Sequence, residues 1–209
     1  MYRTHVVIPG VLAADECAVL RALEPKLEFR AGTVSLVRAE QPETRRSRVA
    51  WLRRDEEHFA WLFARIDRVL AAVNLHHFDV DYAQQGCAAF QYSIYDADKR
   101  AHHYTTHIDD FLPASWPDAR QLSVVAQLSA PGEYGGGTLR FRDVADEMPQ
   151  WGCERGTALV LPSILYHSVE TVYRRDTALA RRLVQRAAMA IGVMIGICRK
   201  SLSQSCGRS

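Results

Sequence analysis

The sequence predicts a mainly β fold of the α+β class, with supporting helices in its N-terminal part. Apolar residues first recur at three- and four-residue steps, which is the pattern of helices packed on one side. Short runs of β-type residues separated by turn residues follow, and runs of this length and spacing are typical of a sandwich or a barrel. Because 48% of the 209 residues are hydrophobic, the chain can bury the core of one domain.

The N-terminal part, about residues 1–80, contains the helical elements. The clearest helix runs from about Glu56 to Val73, because its apolar residues form one continuous stripe, and Asn74 is its predicted end. The other elements predicted here are a strand at 5–8, a helix at about 14–24 and a strand at 33–38.

Five β-type runs follow and form the predicted core, about residues 81–172. They lie at 87–95, 120–127, 138–142, 157–161 and 165–172. Three consecutive glycines, Gly135 to Gly137, predict a tight turn between two of these runs, since glycine accepts the backbone conformations that such turns require.

The charge and the cysteine content narrow the function classes. Net charge is +2, and residues 173–209 hold eight Lys/Arg and one Asp, so the remainder is mildly acidic and gives no indication of a nucleic-acid partner. The five cysteines are irregularly spaced and form no CxxC pair, which predicts reduced thiols and a cytoplasmic location. The N-terminus lacks the apolar segment of a signal peptide, and the longest apolar run, 187–198, is too short to cross a bilayer, so no membrane association is expected.

A candidate metal site lies in the segment HHYTTHIDDF at 102–111. On an extended chain, residues i and i+2 point to the same side, so His107 and Asp109 direct an imidazole and a carboxylate towards one point. His167, inside the predicted run at 165–172, can supply a third ligand. Two His and one carboxylate leave coordination positions open, which is the arrangement of non-haem Fe(II) oxygenases. From the pattern alone, a surface His near a solvated Asp remains the alternative.

Three segments resemble the prolyl-4-hydroxylase-like branch of the 2-oxoglutarate/Fe(II)-dependent dioxygenases. They are YSIYDADKRAHHYTTHIDD at 92–110, RQLSVVAQLSAPGEYGGGTLRF at 120–141 and GTALVLPSILYHSVETV at 156–172. The family pattern has Tyr-x-x-His-x-Asp, Arg/Lys-x-Leu-Ser, Tyr-x-Gly-Gly-x-Leu, Gly-x-x-x-x-x-Pro and a distal His-x-Val, in this order. The resemblance covers most of residues 50–172 and implies a double-stranded β-helix, or jelly roll, with the metal at its open mouth.

The resemblance also implies the site residues and the cofactors. His107, Asp109 and His167 match the iron ligands of the family, and Tyr95 and Tyr104 match the tyrosines that line its cosubstrate pocket. A Tyr on a barrel strand is also often a core residue, so that alternative stays open for both tyrosines. Fe(II) and 2-oxoglutarate are the implied cofactor and cosubstrate, with L-ascorbate as a further candidate. The residues interpreted as structural are His103, Arg120 and the glycines at 135–137.

The chain departs from the family after the distal His. The family has a basic residue about ten positions later, which pairs with the far carboxylate of 2-oxoglutarate, and this chain has Thr177 there. One hypothesis is a frameshift: a GC-rich back-translation that starts at Tyr173, read one base later, gives TGGTRRSLVVWCSGPPWR followed by a stop, with an Arg at the required place. On that hypothesis the tail packs badly or forms a helix around residues 180–190. The alternative is a divergent tail in which Arg181 or Arg182 binds the carboxylate.

The predicted function is that of an Fe(II)- and 2-oxoglutarate-dependent dioxygenase, a hydroxylase of prolyl-4-hydroxylase type acting on a small-molecule or peptidyl substrate. The alternative is a catalytically impaired or non-enzymatic, cupin-like jelly roll that binds metal. A third class, a purely structural domain, would not bring His107, Asp109 and His167 together. A metalloprotease is disfavoured because the sequence contains no HExxH motif. The sequence selects neither a particular substrate nor an oligomeric state.

Overall fold

The computed structural model of the protein describes residues 4–34, 39–80, 89–96, 101–109, 120–142 and 154–173, and the backbone of residues 188–198. Within these residues the structure is mainly β, with two α-helices and with strands arranged in sheets of seven, four and two. None of the helices in this part of the chain is long and apolar enough to cross a membrane.

The elements are numbered in chain order. The helices are α1 (Ala14–Ala22) and α2 (Ala60–Val73), with 3-10 turns at Glu24–Lys26 and Glu57–Phe59. The strands are β1 (Val6–Ile8), β2 (Arg30–Ala31), β3 (Arg45–Arg46), β4 (Arg48–Arg53), β5 (Ala89–Asp96), β6 (His103–His107), β7 (Arg120–Ala126), β8 (Gly135–Gly136), β9 (Leu139–Phe141), β10 (Ala158–Pro162), β11 (His167–Val169), β12 (Val172–Tyr173) and β13 (Ala188–Cys198).

Helix α2 carries the apolar stripe that the sequence predicts, and this stripe is buried against the largest sheet. The ring of Phe63 stacks on that of Phe90 in β5, with the ring centres 3.8 Å apart. The stripe residues that are buried within α2 are Leu62, Phe63, Ile66, Leu70 and Val73. Since these residues belong to one core with residues of α1, β5, β7 and β10, they fix the helical layer on the sheet.

The predicted helix boundaries are close to the observed ones. Helix α1 ends at Ala22, two residues before its predicted end, and Pro25 lies in the 3-10 turn that follows. Helix α2 ends at Val73 and continues as a π-helical turn, Asn74–Phe78. The amide of Asn74 donates to the Val80 carbonyl and accepts from the Val80 N–H, at 2.8 and 2.9 Å. Asn74 therefore closes the end of the helix with its side chain, as its position predicts.

The predicted β-type runs are confirmed over their described residues. The runs at 87–95, 120–127, 138–142 and 157–161 correspond to β5, β7, β9 and β10, and the run at 165–172 is divided into β11 and β12. The run at 5–8 contains β1. Of the strand predicted at 33–38, residues 35–38 lie outside the described part, and Val34 forms a bridge with Ala39.

The glycine segment forms a strand and a turn together. Gly135 and Gly136 are β8, which pairs with β12, and the backbone takes positive φ at Gly136 and Gly137 (66° and 68°). A side chain at Gly136 would overlap the carbonyl oxygen of Thr171. Glycine is therefore required at Gly136 both by conformation and by space.

The largest sheet has the strand order β1-β10-β7-β13-β5-β4-β2, and its described pairings are antiparallel. Strand β13 lies between β5 and β7, within the segment that the sequence sets apart as a tail. The helix predicted around residues 180–190 is therefore wrong for 188–190, which begin β13, and residues 180–187 lie outside the described part. The physical reason is that β5 and β7 both offer unpaired backbone groups that a strand, and not a helix, can satisfy.

The smaller sheet has the order β3-β6-β11-β9 and carries the candidate site. Strands β3 and β4 are not predicted from the sequence, because the arginine-rich segment 44–54 does not look like a strand. In the structure, β4 pairs with β5 over the whole of Arg48–Arg53, and its interior positions Val49, Ala50 and Leu52 are buried. Strand β3 instead pairs with β6, so segment 44–54 joins the two sheets.

Replacement of Phe63 tests the packing of α2. We expect Phe63→Ala to lower the free energy of unfolding by about 3–5 kcal/mol, because it removes a fully buried ring and leaves a cavity. The control is Leu75→Ala, where the side chain is 73% exposed and a change within about 0.5 kcal/mol is expected. Urea denaturation measures both, and equal effects of the two substitutions would contradict this packing.

Candidate metal centre

Two histidines of the candidate site face each other across a strand pair. His107 is the last residue of β6, His167 is the first residue of β11, and the two are direct partners in the antiparallel register. Their ring centres lie 4.3 Å apart. Asp109 follows β6 by two residues, and its backbone N–H donates to the Ser163 carbonyl at 2.9 Å. The sheet register and this loop contact therefore bring together the three residues that the sequence pattern selects.

The side chains of the three residues converge on one small volume. The Asp109 Oδ1 atom lies 3.7 Å from Nε2 of His107 and 3.6 Å from Nε2 of His167. One ligand atom from each residue can be chosen so that all lie within 4.8 Å of one another. All three side chains are buried. Within the described part of the chain, these residues form the group that could hold a metal ion.

In the described part of the chain, ligand atoms of the site lack hydrogen-bond partners, and a bound cation would take the place of those partners. Nε2 of His107 and both carboxylate oxygens of Asp109 are buried without a hydrogen-bond partner among the described residues. Buried polar atoms are nearly always satisfied, and an exception calls for a specific partner. Imidazole nitrogens and a carboxylate are suitable ligands for a divalent metal such as Fe(II). The residues present therefore fit the metal that the sequence pattern implies.

Backbone carbonyls fix the orientation and the tautomer of both rings. Nδ1 of His107 lies 2.8 Å from the Thr105 carbonyl oxygen, and Nδ1 of His167 lies 2.8 Å from the Leu165 carbonyl oxygen. A carbonyl oxygen only accepts hydrogen bonds, so Nδ1 carries the proton in both rings. The lone pair of each ring is then on Nε2, which is the atom directed at Asp109. Contacts of this kind commonly orient histidine ligands of metals.

Burial keeps His107 in the form that a metal requires. Removal from water, the dominant effect, together with the nearby His167, lowers the pKa of His107 to about 3 from an ordinary value of 6.5. The imidazole is therefore neutral at physiological pH, and only a neutral imidazole can bind a metal.

The two predicted cosubstrate tyrosines lie beside the triad. The ring of Tyr104 stacks on that of His107, with centres 3.4 Å apart and planes 14° from parallel. Tyr95 is buried, its hydroxyl bonds to Ser47, and desolvation raises its pKa to about 12. Both tyrosines therefore stay protonated and can donate a hydrogen bond. Arg181 and Arg182 lie outside the described residues.

Sequence reasoning missed a charged residue at this site. Arg45 in β3 is the register partner of Tyr104, and its guanidinium carbon lies 4.6 Å from the centre of that ring. Its Nε donates to Ser47 Oγ at 2.9 Å. The segment TRRSR looks like a solvated basic run, so no sequence signal separates Arg45 from its neighbours. Only the pairing of β3 with β6 brings it to the site.

The residues interpreted as structural make structural contacts. Both ring nitrogens of His103 lie within hydrogen-bond distance of backbone carbonyls, those of Ala101 and Glu43. Arg120 donates to the Asp109 carbonyl at 3.3 Å and so helps to hold the loop that carries the carboxylate.

A cavity of about 840 Å³ lies against the smaller sheet, but the triad does not line it. Its walls include His103, Thr105 and Ser168, which alternate along their strands with residues of the site. Tyr104 is shared between the cavity and the site. The cavity therefore gives no independent support to the metal centre, which is defined by its donor atoms.

Comparisons with known proteins agree with this geometry. The model of the 2OG-Fe(II) oxygenase superfamily matches residues 90–189. The matched segment is just under half of the chain and contains His107, Asp109 and His167, and Fe(II) and 2-oxoglutarate are the cofactor and cosubstrate that this superfamily implies. Comparison with curated proteins gives no significant sequence match.

Solved structures of prolyl hydroxylases share the fold. A Pseudomonas putida prolyl-4-hydroxylase is 18% identical with a TM-score of 0.65, over 94% of this chain and 92% of its own. A Trichoplax adhaerens prolyl hydroxylase, bound to a hypoxia inducible factor peptide, is 16% identical with a TM-score of 0.69, over 93% and 83%. A viral collagen prolyl hydroxylase from Paramecium bursaria chlorella virus-1 is 18% identical with a TM-score of 0.62, over 95% and 97%.

Metal titration tests the triad. Loss of a residue that merely orients a metal ligand costs about 10- to 100-fold in affinity, so loss of a ligand should cost at least as much. We expect His107→Ala and Asp109→Ala each to weaken Mn(II) binding by at least that factor in anaerobic calorimetry. The control His103→Ala removes a nearby imidazole that contacts backbone carbonyls and should leave the affinity unchanged. Wild-type affinity in both triad variants would exclude the proposed ligand set.

The stability of the metal-free protein should depend on His107. The unfolded chain takes up a proton on this ring near pH 6.5, whereas the folded protein does so only near pH 3. The unfolded state therefore binds more protons between these values, and the folded state loses stability as the pH falls through this window. We expect a steeper loss in the wild type than in His107→Gln, measured by urea denaturation at several pH values. Parallel pH profiles would show that His107 is not held neutral.

Proposed function

We propose that the protein is an Fe(II)- and 2-oxoglutarate-dependent dioxygenase of prolyl-4-hydroxylase type. The single observation that carries this proposal is the meeting of His107, Asp109 and His167, at which Nε2 of His107 and both carboxylate oxygens of Asp109 are buried without a hydrogen-bond partner among the described residues. A structural domain would not retain such a group, because each unpaired buried atom lowers stability. The family match over residues 90–189 supports iron as the metal.

The fold proposed for this function is a double-stranded β-helix, in which the two larger sheets are the walls and the triad lies at the open end. Segment 44–54 joins the two sheets, because β3 pairs with β6 and β4 pairs with β5. The similarity to prolyl hydroxylase structures supports this arrangement.

His107, Asp109 and His167 would hold the metal through two Nε2 atoms and one carboxylate. Fe(II) and 2-oxoglutarate, when bound there, would supply oxidative chemistry in which one atom of O₂ would enter succinate as 2-oxoglutarate loses CO₂ and the other would hydroxylate a substrate C–H bond. The protein orients these groups and protects the reaction from side reactions. The Thr105 and Leu165 carbonyls hold the rings in the correct tautomer.

The two tyrosines have the role of shaping the cosubstrate pocket. The ring of Tyr104 covers one face of His107 and limits its rotation. The hydroxyl of Tyr95, held protonated by burial, can donate a hydrogen bond to a carboxylate. For the far carboxylate of 2-oxoglutarate, the tail residues Arg181 and Arg182 remain sequence-based candidates.

The substrate proposed is a peptidyl proline, with other small molecules as alternatives. The Trichoplax adhaerens relative in fold was solved with a peptide fragment bound, and the viral relative is named for collagen.

L-Ascorbate is proposed as the reductant that restores Fe(II). A cytoplasmic location is proposed from the irregular cysteines, and among the described residues Cys17 is a free thiol.

A catalytically impaired protein is the second candidate. The observation that favours it is Thr177, which stands where the family has a basic residue. A frameshift in residues 173–209 would explain this, and sequencing of the gene around codon 172 tests that explanation. On this alternative the triad binds metal, but little 2-oxoglutarate is consumed.

Measurement of succinate separates the two candidates. We expect the Fe(II)-loaded protein to convert 2-oxoglutarate to succinate faster when a proline-rich peptide is present, with one oxygen atom added to the peptide by mass spectrometry. Asp109→Ala should reduce succinate to the level of metal-free protein, because it removes the only carboxylate of the described triad. The control is Asp55→Ala, an exposed residue paired with Arg53, which should keep wild-type turnover. Metal binding without any succinate would support the impaired protein instead.

A further inference from the structure

Arg45 is a buried cation that pairs with no carboxylate among the described residues. The residue is 6% exposed, and its guanidinium donates to Ser47 Oγ at 2.9 Å and to the Thr33 carbonyl at 3.1 Å. Among the described residues, no carboxylate lies within ion-pair distance of it. Two arginines that are only half-buried do have carboxylate partners, since Arg48 pairs with Asp96 and Arg54 pairs with Asp67. A buried charge that lacks a counter-charge is costly, so this guanidinium is suited to an anion that is not part of the described protein.

The guanidinium lies one aromatic ring away from the candidate metal ligands. It contacts Tyr104 at 4.6 Å, and the ring of Tyr104 stacks on His107 at 3.4 Å. Arg45 therefore contributes to the electrostatic field of the site itself.

The surrounding backbone is built to hold Arg45 in place. Gly32 has no side chain, and a Cβ there would lie 2.6 Å from Nε of Arg45 and 2.4 Å from Oγ of Ser47. The Gly32 N–H donates to the Ser47 carbonyl at 2.8 Å, which fixes this close approach. The guanidinium is thus held by Ser47, Thr33 and the Tyr104 ring, and little ordering entropy is lost when a ligand binds.

We propose that Arg45 binds the carboxylate of 2-oxoglutarate that is remote from its keto group. This inference rests on the proposed function, because it requires the keto-acid end of the cosubstrate to occupy the triad. It gives the chain a cation for this carboxylate although Thr177 stands at the usual place. A guanidinium suits the role, since its planar fork matches the geometry of a carboxylate.

The test compares two keto acids that differ only in the remote group. 2-Oxovalerate has a methyl group where 2-oxoglutarate has the carboxylate. In anaerobic calorimetry with Mn(II)-loaded protein, we expect the wild type to prefer 2-oxoglutarate by about 10- to 100-fold, as for charged hydrogen bonds. Arg45→Gln should abolish most of this preference and leave the affinity for 2-oxovalerate unchanged. Arg45→Lys should retain part of it, because the charge remains and the fork is lost.

Two control variants make the result specific. Arg53→Gln removes an exposed arginine paired with Asp55 and should keep the full preference. The double variant Arg181→Gln/Arg182→Gln tests the competing assignment of the carboxylate to the tail, and on the present proposal it should keep the preference. A loss of preference in that double variant, with Arg45→Gln unaffected, would overturn the proposal and assign the carboxylate to the tail.

The outcomes separate this inference from the proposed function. If the Mn(II)-loaded wild type binds neither keto acid, both the proposed function and this inference fail. If it binds both equally, or if Arg45→Gln keeps the wild-type preference, the inference alone fails. Thermal unfolding and Mn(II) binding verify that each variant is folded. If Arg45→Gln does not fold, Ser47→Ala, which removes the acceptor of Arg45 Nε, should give a smaller loss of the same preference.

Discussion

The antiparallel register between β6 and β11 is the constraint on which the site depends. It sets His107 directly opposite His167, so both imidazoles lie on the same face of one strand pair. A shift of β11 by one residue would turn His167 to the other face and away from His107, because side chains alternate along a strand. Asp109 then needs only the two-residue extension of β6 and the backbone contact with Ser163 to complete the group. The pairing of backbone groups thus determines the chemistry of the side chains.

The buried ligand atoms that suit the site to a metal also lower the stability of the metal-free protein. In the metal-free protein, the Asp109 carboxylate and Nε2 of His107 are buried without partners in the described part of the chain, and the pKa of His107 is held near 3. These features lower the stability of the fold, and the large core beneath the other sheet offsets them. The rings of Phe63 and Phe90, together with the stripe of α2, stabilise the domain at a distance from the site. A metal ion that satisfies the unpaired atoms would then bind and stabilise the folded state together.

Local signals in the sequence predict the elements and the triad, but not the neighbours of the triad. The stripe of α2 and most strand runs are visible because periodicity reflects burial. His107 and Asp109 are visible because their spacing alone aligns them on an extended chain. Arg45 and Ser47 are not visible, because their role follows from the pairing of β3 with β6, which joins residues about sixty positions apart. The segment around them is rich in arginine, so its composition predicts exposed side chains, whereas Arg45 and Ser47 are buried in the structure.

Strand β13 shows that the fold persists although the sequence departs from the family pattern after His167. The segment that lies between β5 and β7 must be a strand. Because the pairing is made by backbone hydrogen bonds, many different sequences can form it. The apolar run at 188–198 satisfies it, although Thr177 stands where the family pattern has a basic residue. Recognition of a carboxylate is less tolerant, because it needs a guanidinium or an ammonium at a particular point. A cation carried by β3, on a strand that the tail does not form, is independent of the tail sequence. The site could therefore keep its charge whatever reading frame the tail represents.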